Sequence, residues 1–148
     1  MATKFEVFAA LHVPGDPVIL YNIWDVGSAH AVVRAGAKAL ATGSHPVADA
    51  NGWSDGQDVP IDFALANAKR IADSIELPLT VDFESAYSDD PDLGADNVVR
   101  LAATGAVIAG GSFAVGVTYV SKWYPQDKQG TALGIFGSGN VGAAVTKF

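Results

Sequence analysis

The chain has 148 residues, a net charge of −7 and no cysteine. A complete eight-unit α/β barrel normally needs about 250 residues, so this length allows only part of one. The acidic balance, with no cluster of Lys or Arg, excludes a surface that tracks nucleic-acid phosphates, and we expect no nucleic-acid partner. The absence of cysteine excludes a disulfide framework and thiolate chemistry.

Charge divides the chain into two parts. Residues 1–107 contain 6 basic and 15 acidic residues, whereas residues 108–148 contain 3 basic and 1 acidic. The first part begins with charges at Lys4 and Glu6 and lacks the uninterrupted apolar run of a secretory signal, so we expect it in the cytoplasm. We therefore predict two domains, residues 1–107 and residues 108–148.

The first part alternates short apolar runs with one-sided helical patterns, which is typical of successive βα units around a parallel sheet. About three such units are predicted, with strands at 18–21, 38–41 and 79–83 and helices at 28–35, 62–75 and from Asp92 or Gly94 to 104. Gly36 is predicted to end the first helix, Asp62 to cap the second and Pro78 to separate it from the next strand. Ala106 begins a predicted fourth strand.

The second part has a different pattern. Residues 105–121 and 130–146 are two runs of seventeen residues without a charge, rich in Gly, Ala and Ser. Their length is at the short edge of a membrane span, and small residues favour close helix packing in lipid. A two-helix apolar hairpin with membrane association through 105–146 is one interpretation. A pair of buried helices in a protein core is the other, and length alone leaves both open.

Two carboxylates mark a candidate metal site. Asp82 and Glu84 are two positions apart at the end of the third predicted strand, so both can face one side of the sheet. Barrel enzymes carry their active sites at the C-terminal ends of strands, and Mg²⁺ is commonly held by one or two carboxylates together with waters and substrate oxygens. The alternative is that Asp82 simply precedes a turn.

Four ordered motifs carry a resemblance to a known family, at residues 22–29, 39–44, 52–56 and 81–84. Together they make residues 5–107 resemble the isocitrate lyase/phosphoenolpyruvate mutase superfamily. The resemblance implies a (β/α)₈ (TIM-type) barrel, here truncated. It also implies Mg²⁺-dependent making or breaking of C–C or P–C bonds in small 2-oxo or enolate carboxylates.

The resemblance also implies roles for single residues. Asp82 and Glu84 would hold Mg²⁺, which stabilises a developing enolate. Ser44 falls where the family binds the substrate carboxylate through a hydroxyl and neighbouring amides, and Asp55 falls beside the reacting centre. Without the resemblance, Ser44 is equally a loop cap, and Asp55 is equally part of an Asp-Gly turn.

Departures from the family pattern predict impaired chemistry. Pro46 follows Ser44 closely and has no N–H to offer a carboxylate. Ser85 and Ala86 replace the glycines common after the metal carboxylates, which restricts the backbone there. The fourth strand runs into 108–111 without the acidic pair expected to complete the metal site. A partial barrel also leaves open sheet edges, so we expect an oligomer or a complementing chain.

A glycine-rich motif near the C-terminus has two interpretations. Gly137, Gly139 and Gly142 fit the G-x-G-x-x-G dinucleotide pattern, but no acidic residue follows at the required distance. Residues 109–116, 123–125, 129–134 and 136–144 together resemble nitrate/nitrite transporters of the major facilitator superfamily. That resemblance implies that the glycines pack membrane helices and that Asn140 faces a substrate path.

Three hypotheses follow: a lyase/mutase-type enzyme, a membrane-transporter fragment, and a chimeric reading frame with neither activity. We assign the chain to the isocitrate lyase/phosphoenolpyruvate mutase family by descent, and we predict that it is catalytically inactive alone.

Overall fold

The computed structural model describes residues 2–107, together with positions 125 and 128. Three short strands form one parallel sheet in the order β1-β2-β3: Tyr21–Ile23, Leu40–Thr42 and Leu79–Thr80. Tyr21 is paired with Leu40 across the first strand pair, and Leu40 with Leu79 across the second. Val107 adds a single parallel bridge to Thr80, beside β3.

Five helices accompany the sheet in the described part: α1 Lys4–Ala10, α2 Val26–Arg34, α3 Ser44–Ala50, α4 Ile61–Ser74 and α5 Pro91–Ala102. Helices α2 to α5 occur in the connections between and after the strands, as expected for βα units with parallel strands. The α/β class and the parallel sheet are therefore confirmed.

Local sequence explains where α2 and α5 begin. Asp25 accepts a hydrogen bond from the backbone N–H of Ser28, and this bond, followed by the one from the Ser28 hydroxyl, lowers the pKa of Asp25. Asp90 accepts from the backbone N–H groups of Asp92 and Leu93, with Pro91 at the first helical position. Both carboxylates satisfy donors that the first turn of a helix leaves unpaired.

The main core lies between the sheet and the helices. Ile23, Leu40 and Leu79, one from each strand, are fully buried. They belong to the same cluster as Ile71 of α4 and Leu101 of α5. All three residues of β2 are buried, as expected for a central parallel strand with both faces covered.

Helix α1 packs in a second, smaller cluster. Phe8 is buried with Ala39, just before β2, and with Val107. The Lys4 ammonium donates to the carbonyls of Ala72 and Ile75, at 2.9 and 2.8 Å, at the C-terminal end of α4. A cation at this end satisfies free carbonyls and matches the helix dipole.

Several predicted boundaries were wrong. The strand predicted at 18–21 lies at Tyr21–Ile23, and the strands predicted at 38–41 and 79–83 are Leu40–Thr42 and Leu79–Thr80. Asp62 does not cap α4, because the cap position is Pro60 and Asp62 lies in the first turn. The last helix begins at Pro91 rather than at Asp92 or Gly94, since Asp90 provides its cap.

Two helices were missed, and one helix end was correct. Helix α1 was overlooked, although Thr3 and Glu6 form a capping box at its start. Helix α3 begins at Ser44, where only a strand end was expected. Gly36 does follow the end of α2, with a φ of +91° that favours glycine.

The sheet of the described residues is open, so a closed barrel is not confirmed. The predicted hairpin at 108–148, including Gly137, Gly139, Asn140 and Gly142, lies outside the described residues. Within residues 2–107, no helix has the length and apolar character needed to cross a membrane.

Candidate metal and substrate site

Ser44 and Asp82 meet at the C-terminal edge of the sheet. Ser44 follows β2 and begins α3, and Asp82 follows β3. The strands are parallel and adjacent, so their following segments lie side by side. The Ser44 backbone N–H and hydroxyl both donate to Oδ2 of Asp82, at 3.2 and 2.9 Å. The structure thus brings together two residues predicted to share a site, although they are 38 positions apart.

Asp82 is held from two further directions. Its backbone N–H donates to Oγ1 of Thr42, the last residue of β2, at 3.2 Å. Its other carboxylate oxygen, Oδ1, accepts a long hydrogen bond from the Glu84 N–H at 3.4 Å. A carboxylate oxygen can accept more than one hydrogen bond or ligand, so this arrangement orients the Asp82 carboxylate and leaves coordination capacity on it.

Gly43 lets three chain segments approach one another closely. A Cβ atom at this position would lie 2.9 Å from Nδ2 of Asn22 and 2.9 Å from Cγ of Pro46. Any larger residue would therefore separate β1's Asn22 from the start of α3. The site depends on this contact because Ser44 is the next residue.

Glu84 lies on the same side as Asp82. The residues between and before them, Phe83 and Val81, are buried, whereas Asp82 is exposed and Glu84 is half-buried. Burial, followed by the charges of Glu84 and Asp82, raises the pKa of Tyr87 to about 12. Both carboxylates therefore act electrostatically on one phenol.

A small cavity connects these groups. It has a volume of about 20 Å³, and polar residues of its lining are Thr42, Ser44, Asn67, Asp82, Glu84 and Tyr87. This volume is enough for about one water molecule. Hydroxyl, amide and carboxylate groups therefore share a space suited to a water or a small cation.

The segment after Asp82 has an unusual backbone. Glu84, Ala86 and Tyr87 have φ values of +53°, +60° and +57°. Left-handed backbone costs an L-residue roughly 1–2 kcal/mol. The sequence predicted that Ser85 and Ala86 would restrict the backbone here, and Ala86 indeed adopts a conformation that favours glycine.

The carboxylate pair fits a Mg²⁺ ion. Hard cations prefer oxygen ligands, and Mg²⁺ is often held by one or two carboxylates with water in the remaining positions. Asp82 and Glu84 would supply the two carboxylates, and Tyr87 lines the same cavity. Among residues 2–107, no cluster of three or more His, Asp or Glu could enclose a metal, so the fit is to a partly hydrated ion.

Asp55 lies apart from this group. Its Oδ2 is 3.7 Å from Nδ1 of His45, the residue after Ser44, and its side chain is 48% exposed. It does not line the small cavity. The structure therefore places Asp55 beside His45 and outside the cavity lined by Asp82 and Glu84, and its catalytic role stays a prediction.

Sequence reasoning missed four residues that shape this edge. Thr42 and Tyr87 border the carboxylates, and Asn67 and Asn97 are buried on α4 and α5. The two asparagines share a spacing that was visible in the sequence: Asp62, Asn67 and Arg70 recur thirty positions later as Asp92, Asn97 and Arg100. Comparing the two helices would have identified them.

A parallel sheet with helices in its connections, and with Ser44 and Asp82 after the C-terminal ends of adjacent strands, defines an α/β protein. Residues 8–110 match the phosphoenolpyruvate phosphomutase family, and this chain belongs to that family. The resemblance inferred from the four motifs is thereby confirmed.

Two relatives illustrate the similarity. A candidate phosphonomutase of Burkholderia cenocepacia J2315, known from a crystal structure, is 43% identical with a TM-score of 0.68, covering 70% of this chain and 42% of that protein. An uncharacterized protein of Mycobacterium tuberculosis is 38% identical over 98 residues, which are 66% of this chain and 38% of the relative. This chain thus spans about two fifths of the length of both.

A second similarity concerns a short segment. A protein of Thermus thermophilus described as a nitrate/nitrite antiporter is 65% identical over 40 residues, which are 27% of this chain and 9% of that protein. The resemblance of a short segment to nitrate/nitrite transporters is therefore confirmed as well.

Proposed function

We propose that the chain binds Mg²⁺ through Asp82 and Glu84, and that this site descends from one that acts on small 2-oxo or enolate carboxylates. The observation that carries the proposal is the orientation of the Asp82 carboxylate by Ser44 and by the Glu84 N–H, beside Glu84 and over one polar cavity. Bound Mg²⁺ supplies Lewis-acid stabilisation of an enolate.

Three further residues have proposed roles in binding or chemistry at this site. Ser44 fixes the carboxylate of Asp82 with two donors, and the same donors are those expected to bind a substrate carboxylate. Tyr87 keeps its proton across the neutral range, so it can donate a hydrogen bond to an oxyanion at this edge. Asp55, reached through His45, is proposed to act at the reacting centre.

Titration calorimetry with Mg²⁺ on the full 148-residue chain tests the metal proposal. We expect binding by the natural chain and at least about tenfold weaker binding by Asp82→Asn and Glu84→Gln, because each loses an anionic ligand. Asp89→Asn is the matched control, since Asp89 is exposed and outside the cavity lining. Equal Mg²⁺ affinity in all four proteins would contradict the proposal.

We further propose that the chain alone does not turn over a substrate. The Ser44 N–H and hydroxyl are both engaged by Asp82, and Pro46 has no N–H to replace them. A substrate carboxylate would have to displace the internal one. Lyase turnover by the purified chain would overturn this proposal.

The short transporter-like segment supports a second candidate, membrane association through residues 105–146. The supporting observation is the 65% identity over 40 residues to the nitrate/nitrite antiporter-like protein. The third possibility, a chimeric reading frame with neither activity, predicts neither Mg²⁺ binding nor membrane retention.

A further inference from the structure

A repeated side-chain arrangement links the helices to the loops at the candidate site. Asn67 of α4 and Asn97 of α5 are 5% and 4% exposed. Each amide donates to a backbone carbonyl 2.9 Å away: that of Trp24 for Asn67 and that of Ala86 for Asn97. Each amide oxygen accepts, at 3.2 Å, from the arginine three positions later.

The two carbonyls belong to different loops. Trp24 follows β1 and precedes the start of α2, whereas Ala86 lies in the left-handed segment that carries Glu84 and follows Asp82. Both loops are at the C-terminal edge of the sheet. The repeat thus connects two loops at this edge to helices through the same asparagine-to-carbonyl hydrogen bond. Only the loop that contains Ala86 bears the carboxylates.

The loop bearing the carboxylates has a conformation that needs external support. Residues in left-handed backbone persist where surrounding contacts determine them. Ala86 is held on one side by its own N–H donating to Phe83 at 2.8 Å and on the other by Asn97. Arg100, which orients the Asn97 amide, also pairs with Asp62 of α4. Asn97 therefore connects the loop to both helices.

We infer that Asn97 is a positioning residue for the metal site: its amide fixes the left-handed 84–87 loop and thereby sets the placement of Glu84 relative to Asp82. The inference deepens the proposed function and rests on it for the identity of the ion. Partners of metal ligands typically contribute about 10–100-fold to metal affinity.

The control is Thr104→Val, which removes another buried hydrogen bond, from the Thr104 hydroxyl to the Leu101 carbonyl of α5, outside the cavity lined by Asp82 and Glu84. Asn67 itself lines that cavity and is therefore not used as a control. In the full chain, Asn97→Ala is expected to raise the Mg²⁺ Kd about tenfold or more, whereas Thr104→Val leaves it within about twofold. Both variants should lower the Tm, because each leaves a carbonyl without its side-chain donor. A purely structural role predicts losses of Mg²⁺ affinity that follow the losses of Tm in both variants.

Hydrogen–deuterium exchange provides a readout that does not need Mg²⁺. We expect faster exchange in peptides covering 83–88 in Asn97→Ala and unchanged exchange there in Thr104→Val. If the natural chain binds no Mg²⁺ but this exchange pattern holds, the proposed function fails and the positioning of the loop stands. Unchanged exchange at 83–88 in Asn97→Ala, or equal Mg²⁺ affinity in both variants of a natural chain that binds Mg²⁺, would overturn the inference.

Asn97→Asp, again with Thr104→Val as its control, keeps the test decisive if Asn97→Ala does not fold. Aspartate has nearly the same shape and still accepts from the arginine, but it cannot donate to the loop carbonyl. The same selective loss of Mg²⁺ affinity is expected for Asn97→Asp.

Discussion

The conformation of Ala86 is a property of a single residue that its surroundings impose. Its φ of +60° is unfavourable for alanine, yet its side chain is buried and its carbonyl is held by Asn97. The cost of left-handed backbone, roughly 1–2 kcal/mol, is comparable to the gain from burying one methyl group. Substitution by glycine should therefore remove both the backbone strain and the buried methyl group, whose contributions to stability are similar in size and opposite in sign.

We expect Ala86→Gly to change the free energy of unfolding by less than about 0.5 kcal/mol, because relief of strain offsets the lost methyl and the added chain entropy. Ala72→Gly is the matched control: Ala72 is equally buried, but it lies in α4, where glycine costs about 1 kcal/mol in addition to the methyl. Urea denaturation measures both. A loss at Ala86 as large as that at Ala72 would contradict the role of strain.

The raised pKa of Tyr87 leads to a prediction about stability at alkaline pH. Its pKa is raised from 10 to about 12, so the folded chain holds the phenolic proton more tightly than the unfolded chain. The resulting stabilisation is complete below pH 10 and is lost as the pH rises through the folded pKa. In Tyr87→Phe this loss should be absent, so its stability relative to the natural chain should increase between pH 10 and 12.

The control for this experiment is Tyr21→Phe, because the Tyr21 side chain is exposed. Denaturant titrations of the three proteins at a series of alkaline pH values give the comparison. The same pH dependence in Tyr87→Phe and the natural chain would show that the fold does not raise the pKa of Tyr87.

At the residue scale, sequence reasoning could place Ser44 and Asp82 together, because both follow neighbouring parallel strands. It could not find the bond from Thr42 to the Asp82 N–H, because that bond depends on the stagger between β2 and β3. The position of Asp55 could not be predicted either, since it depends on the path of the loop between α3 and α4.

At the scale of elements, α1 is joined to the rest of the fold by few contacts, among which Lys4 is prominent. Lys4→Met should lower the free energy of unfolding by about 1–2 kcal/mol, since two carbonyls at the end of α4 lose a charged donor. Lys69→Met is the control, because the exposed Lys69–Asp73 pair is worth only about 0.3–0.5 kcal/mol. Thermal unfolding of both variants measures the difference. Equal small losses of stability would contradict the role of Lys4 as a cap of the α4 C-terminus.

Elements were predicted best where the apolar periodicity agreed with residues that end a helix. Helix α4 has a one-sided apolar pattern and ends before Pro78, and its predicted span differs from Ile61–Ser74 by one residue at each end. Helix α3 was missed because Pro46 and the short span from Ser44 to Ala50 do not give a helical period. Strand ends shifted because strands of two or three residues carry no usable alternation.

At the scale of the whole molecule, the described sheet has β1 and β3 at its edges, with only the Val107 bridge beyond β3. Ile19 and Tyr21, before and within β1, are 65% and 54% exposed. Apolar side chains beside an unpaired strand favour further pairing. The expected oligomer or complementing chain therefore stays a prediction for this edge, as does the division into domains at residues 107 and 108.

The transporter-like part decides where the whole chain resides if the membrane interpretation is correct. Under that interpretation, the expressed chain should remain with membranes after carbonate extraction. Gly137→Arg, which places a charge within the uncharged run at 130–146, should release it, because a charge at the centre of a span costs about 2.5–3.5 kcal/mol.

Gln129→Arg is the matched control, since position 129 lies just outside that run. It belongs to the stretch between the two uncharged runs, where an added positive charge is tolerated. Retention of the control and release of Gly137→Arg would show that residues 130–146 hold the chain in the membrane. Recovery of the natural chain in the soluble fraction would reject membrane association. The Mg²⁺ measurements on that fraction would then decide between the enzyme-like site and a chimeric chain with neither property.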